Sequence, residues 1–157
     1  MYKFFLPIIL FLTVQIHGFN IWSHDTRQIR PELIFSQNLQ NAANFKAQLL
    51  LTSGVYAHCI ENYCPNKMIK DFGCKNDYND NTNYVESFLI GPVDMDKAYS
   101  LLLLSPSHRA HLLGEGWFST QNYGAVGFYT KDSNNAYVFL AASCFNDSKI
   151  YQEIGRK

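Results

Sequence analysis

The chain has 157 residues, a length suited to one compact domain, and its 47% hydrophobic and 17% charged content supplies a core and argues against disorder. Thirteen basic and thirteen acidic residues cancel. No basic face is implied, so nucleic acid is not an expected partner, because phosphate contacts need clustered Lys and Arg.

Residues 1–18 read as an export signal. Lys3 supplies the positive start, Phe4 to Val14 is apolar, and Ile16-His17-Gly18 places a small residue before a cleavage point. The apolar run is too short to cross a bilayer core of roughly 30 Å as a helix; an uncleaved anchor is the alternative. Leu101 to Leu104 is shorter still and meets polar residues at once. The expected product is secreted or extracellular (periplasmic in a double-membraned bacterium) and not integral to a membrane after cleavage.

Phe19 to Arg30 is a polar lead-in. Pro31 and Glu32 suit a first helical turn, which predicts a helix over 32–53. Leu39, Ala43 and Leu50, with Ala42, Ala47 and Leu49 beside them, form its apolar face, and Gln37, Asn41, Asn44 and Gln48 point away. Gly54 is the natural stop. Residues 59–83 read as an irregular loop holding three of the four cysteines.

Cys59, Cys64, Cys74 and Cys144 are an even set in a small exported chain, which predicts two disulfides. Three pairings are open, and each joins Cys144 to one of the other three. A zinc site built from His58 and the clustered Cys59, Cys64 and Cys74 is the rival, but the spacing fits no usual paired-cysteine pattern.

Tyr84 to Ile90 is a short apolar segment ended by Gly91-Pro92, and Asp94 can cap a second helix reaching Leu104. Ser105 as cap, Pro106 at the first helical position and Gly114 at the far end frame a short helix with His108, Arg109 and His111. Tyr123–Thr130 and Ala136–Phe145 read as strands around a polar loop, Lys131 to Asn135. The last strand is almost wholly apolar, which predicts a central position covered on both faces. Together these elements predict an α/β sandwich with a small, mainly antiparallel sheet. Among the 10 Tyr and 12 Phe, core filling is the first role, and lining an apolar ligand groove the sharper one.

Four of these segments, in order, resemble the CAP superfamily, the cysteine-rich secretory, antigen 5 and pathogenesis-related group. They are the first helix followed by His58, then Val85-Glu86-Ser87-Phe88, then Ser105-Pro106-Ser107-His108-Arg109-Ala110-His111-Leu112-Leu113, and Tyr123-Gly124-Ala125-Val126-Gly127-Phe128. The third is similar to the Ser-Pro-x-His-Arg run of the bacterial-type branch and is specific by itself. The likeness covers residues 32–146, with 19–31 as lead-in and 147–157 as tail. The chain departs from the family pattern at Val85 and Ser87 beside Glu86, and at His111 where Asn is usual. The long gap from His58 to Glu86 implies an insertion.

The resemblance implies a cleft lined by His58, Glu86 and His108. Two imidazoles and a carboxylate can hold a divalent metal such as zinc, with His58 and His108 as ligands. They can instead share a proton near neutral pH, or simply tie three segments together. Arg109, His111 and Glu61 are supporting candidates; Arg109 suits a carboxylate or loop carbonyls, and His111 reads as exposed. Ser105 and Ser107 lie near His108, but capping accounts for Ser105 and no buried acid completes a triad. The implied roles are a secreted module binding a small ligand, a lipid or a surface protein, with a metal-assisted hydrolase or peptidase and a structural extracellular protein as alternatives. Asn146-Asp147-Ser148 is a glycosylation sequon.

Overall fold

Alternation along two long strands sets the architecture. On β3 (Tyr123–Lys131) and β4 (Asn134–Ala142), Tyr123, Ala125, Ala136, Val138, Leu140 and Ala142 join one buried cluster, while Val126, Phe139 and Ala141 join another. Period-two alternation sends the two sets to opposite faces, so this sheet is covered on both sides. The computed structural model of the chain describes residue 30 and residues 32–145. The expected signal, most of the lead-in, Pro31, the sequon and the tail lie outside them.

The sheet has four strands in the order β1-β3-β4-β2, with β1 Ile34–Phe35 and β2 Glu86–Gly91 at its edges. β1 pairs in parallel with Tyr123–Gly124, and the other two pairings are antiparallel. One face carries α1 (Gln37–Ser53) and α2 (Pro65–Asp71); the other carries α3 (Met95–Leu102) and α4 (Pro106–Leu113). The expected α/β sandwich, with β4 central, is the fold observed.

The differences have local causes. The first helix starts at Gln37 instead of 32, because Ile34 and Phe35 are drawn into the sheet and Ser36 then caps the helix, its Oγ accepting from Leu39 N–H at 3.3 Å. Residues 59–83 are not wholly irregular. Pro65 occupies the first helical position of α2, whose Met68 and Ile69 are fully buried. A 3-10 helix at Gly116–Thr120 was not expected either. The β3–β4 connection is only Asp132-Ser133, both at positive φ, a tight turn whose twist matches the strands. The last strand ends at Ala142 rather than Phe145.

Asp94 caps α3 through Lys97 N–H at 2.8 Å, and Gly114 closes α4 in the left-handed region. Ser105 stands at the cap position of α4, but its hydroxyl faces Ser107 Oγ at 3.3 Å and caps no helical N–H, contrary to expectation. Cys59 pairs with Cys64 and Cys74 with Cys144, which removes the thiolate zinc reading: no described cysteine is free. No described helix is long and apolar enough to cross a membrane.

Candidate functional site

Helix α1 places Lys46 in the buried stripe formed by Leu39, Ala43 and Leu50, three residues after Ala43 and four before Leu50. Its ammonium is fully buried, donating to the carbonyls of Ala57 (3.0 Å) and His58, and lies 3.8 Å from Glu86 Oε1. The lysine thereby fixes the turn that follows the helix and the histidine on it.

Strand β2 supplies the next two groups. Its side chains alternate, so Phe88 and Ile90 pack in the α1 cluster and Leu89 in the opposite one. Glu86 shares the parity of Phe88 and meets Lys46 and His58. Ser87 shares that of Leu89 and meets His111, its Oγ 2.8 Å from Nδ1.

One end of this strand borders a cleft of about 160 Å³ lined by His58, Asn83, Tyr84, Glu86, Ser87, Ser107, His108, His111 and Phe118. His58, Glu86 and His108, picked from the sequence, therefore share one cavity. Among the supporting candidates, His111 lines it and is buried, not exposed as expected. Arg109 is exposed and points to Glu115, Nε to Oε1 at 3.5 Å. Glu61 stands outside the cleft at a left-handed position in the short turn closed by Cys59–Cys64.

Asn83 decides the protons at the centre. Its Oδ1 accepts from the N–H groups of Val85 (3.2 Å) and Glu86 (2.9 Å), so its amide nitrogen faces the other way. That nitrogen donates to Glu86 O at 3.0 Å and meets His58 Nδ1 at 2.9 Å. Nδ1 then accepts, and the ring proton sits on Nε2, a tautomer assigned from the network. Glu86 Oε1 is also 2.9 Å from Nδ1, so the two contacts compete for the one lone pair or proton that this nitrogen carries. Glu86 is shifted up chiefly by desolvation, opposed by its bond to His58 and by the Lys46 charge. Burial likewise shifts Lys46 down, against the pull of Glu86. Glu86 Oε2 is buried without a hydrogen-bond partner.

On the far wall, burial lowers His108, with the charge of His58 adding to it. His111 is pushed down to about 3, first by burial and then by the Arg30 guanidinium. Arg30 is itself buried. It binds the carbonyls of His111, Phe118 and Gln121 and the Gln121 side chain at 3.1–3.2 Å, fastening α4 and the 3-10 helix together. Gly114 fits that arrangement, since a Cβ there would come 2.8 Å from Arg30 Nε.

Lys46, Asn83, Ser87 and Arg30 were not foreseen as site residues. Only Lys46 had a visible signal, a charge in the apolar stripe of a helix. Asn83 looked like one of many loop asparagines, and Arg30 belonged to the polar lead-in. Among the described residues no group of three or more His, Cys, Asp or Glu side chains is gathered to hold a metal ion.

No protein-family model and no curated protein sequence matches the chain. Among solved structures it is similar to an outer surface protein from Borrelia burgdorferi, with a TM-score of 0.63 and 19% identity over 82% of this chain and 94% of that one. At that identity the likeness concerns the fold alone.

Proposed function

We propose that the chain is an exported CAP-type binding domain whose His58–Glu86–His108 cleft takes a small, uncharged polar ligand. The observation that carries this is that Glu86, a residue lining the cleft, has its Oε2 buried without a hydrogen-bond partner. Leaving such a group unsatisfied costs about 1–3 kcal/mol, which a ligand hydroxyl or amide N–H would recover. His58 Nε2–H stands by as a donor, so a group offering both a donor and an acceptor is the natural occupant.

Two disulfides suit an oxidising compartment, and the structural neighbour is named as an outer surface protein. Both support a location at or outside the cell surface. A divalent ion such as zinc on His58 and His108 is the second reading, favoured by two imidazoles in one cleft. The Lys46 ammonium 3.8 Å from Glu86 Oε1 counts against that reading, since a cation already stands beside the carboxyl.

The test is a histidine side-chain NMR titration with acetamide and glycerol, and separately with zinc chloride. Saturable shifts of His58 and His108 with the neutral probes, absent in His108→Ala, are expected, with Glu86→Gln retaining the His58 tautomer. Zinc binding that requires both histidines, with no response to the neutral probes, would install the metal reading instead.

A further inference from the structure

Outside the cleft, four aromatic rings meet at the surface. Tyr84 and Trp117 have centroids 5.4 Å apart, Tyr78 lies 6.3 Å from Tyr84 and 5.6 Å from Trp117, and Phe118 is 5.6 Å from Trp117. Two of these large rings stay in solvent: Trp117 is 49% and Tyr84 44% exposed. The four rings come from two separate segments, the connection before β2 and the 3-10 helix, so the arrangement is not an accident of one loop.

The platform is held rigidly from beneath. Tyr84 N–H donates to the fully buried Asn66, its carbonyl accepts from the buried Gln121, and the Tyr78 hydroxyl accepts from Ser143 N–H at 3.0 Å. The Phe118 carbonyl is tied to Arg30. Pre-set rings lose little freedom on binding, which favours association. Tyr84 and Phe118 also line the cleft, so the platform and the polar cavity are continuous.

We infer that Trp117 and Tyr84 form a stacking platform for a neutral oligosaccharide, one of whose sugar rings enters the His58–Glu86–His108 cleft. The inference rests on the polar-ligand reading of that cleft and names its ligand class. A pyranose presents an apolar C–H face and a rim of hydroxyls, each both donor and acceptor. The platform offers broad apolar ring surface, and the cleft is lined by His58, Ser107 and His108 as polar partners, with Glu86 Oε2 buried and unpartnered among them. A cavity of about 160 Å³ is of the size of one sugar ring. A cationic guest fits less well. The rings pack against one another at 5.4–6.3 Å, edge-to-face for the two Tyr78 pairs and tilted for Tyr84–Trp117, and Lys46 already supplies a buried positive charge.

The experiment titrates the disulfide-bonded protein with cellotriose, maltotriose and N-acetylchitotriose, following the Trp117 indole N–H and the His108 ring together by NMR. The expected result is that at least one trisaccharide shifts both, saturably below about 10 mM. Trp117→Ala should weaken this about tenfold, Trp117→Phe should restore most of it, and a lysine-containing tripeptide should shift neither. A response at His108 without Trp117 would overturn the platform and leave the cleft reading standing. A response at Trp117 alone would overturn the joint site, as would silence at both positions with all three sugars. A shift of both by the tripeptide but not the sugars would make the occupant a peptide and refute the inference.

Discussion

His111 makes the fold sensitive to acid in a way that can be worked out beforehand. Its ring is buried between Phe118 and Phe139, with centroids 5.0 Å from each, and its pKa is pushed down to about 3. In the unfolded chain a histidine titrates near 6.5. A folded pKa depressed below the unfolded one contributes stability that is complete above about 6.5 and lost as pH falls toward 3, because the unfolded state then binds the extra proton. Integrating that difference gives about 2 kcal/mol lost by pH 5 and about 4 kcal/mol by pH 3, one residue's share. His108, also lowered, acts in the same direction. Glu86, raised, acts oppositely, its contribution being present at low pH and lost as pH rises through its folded value. Comparison with His111→Asn isolates the ring, since asparagine can still bond Ser87 Oγ but does not titrate. Urea unfolding across pH 7.5 to 5 should show the wild type losing about 2 kcal/mol more than the variant. The variant forfeits the ring contacts and starts lower at every pH, so the slope is the readout. Equal slopes for the two proteins would refute the reasoning.

Two further predictions concern the frame that carries the site. Gly127 lies against α1 so closely that an added Cβ would overlap the Ala43 carbonyl group, and Gly127→Ala should cost about 3 kcal/mol or more in thermal unfolding; a fully stable variant would mean that α1 can lift off β3 freely. Cys74–Cys144 spans 70 residues and Cys59–Cys64 only five. In the chain-entropy model they stabilise by about 4 and about 2 kcal/mol. The Cys74→Ala/Cys144→Ala pair should therefore lower the urea midpoint more than Cys59→Ala/Cys64→Ala, and the reverse order would contradict the model.

Much of the fold was legible because single physical signals governed it. The apolar stripe of α1, the Asp94 cap, Gly54 and Gly114 as stops, and the apolar run Ala136–Ala142 of β4 each act locally. What escaped was set by distant partners. Ile34-Phe35 looks helical until Tyr123–Gly124 is available for pairing, and Met68-Ile69 sits in a stretch whose cysteines and asparagines suggest loop until the core takes up those two side chains. The site divides the same way. His58, Glu86 and His108 were found through motif likeness, whereas Asn83 gains its role from contacts to residues two, three and 25 positions away.

Lys46 shows why composition of the cleft wall matters more than its histidines alone. A lysine at a core position of a helix is tolerated here because two backbone carbonyls and a carboxyl receive its ammonium. Those same contacts hold the His58 turn in place and engage Glu86 through Oε1. The carboxyl is thus engaged through Oε1 by His58 and Lys46, and only Oε2 remains to be satisfied. With the Lys46 charge met inside the protein, the polar guest proposed for this cleft would be selected by its donors and its shape rather than by a charge.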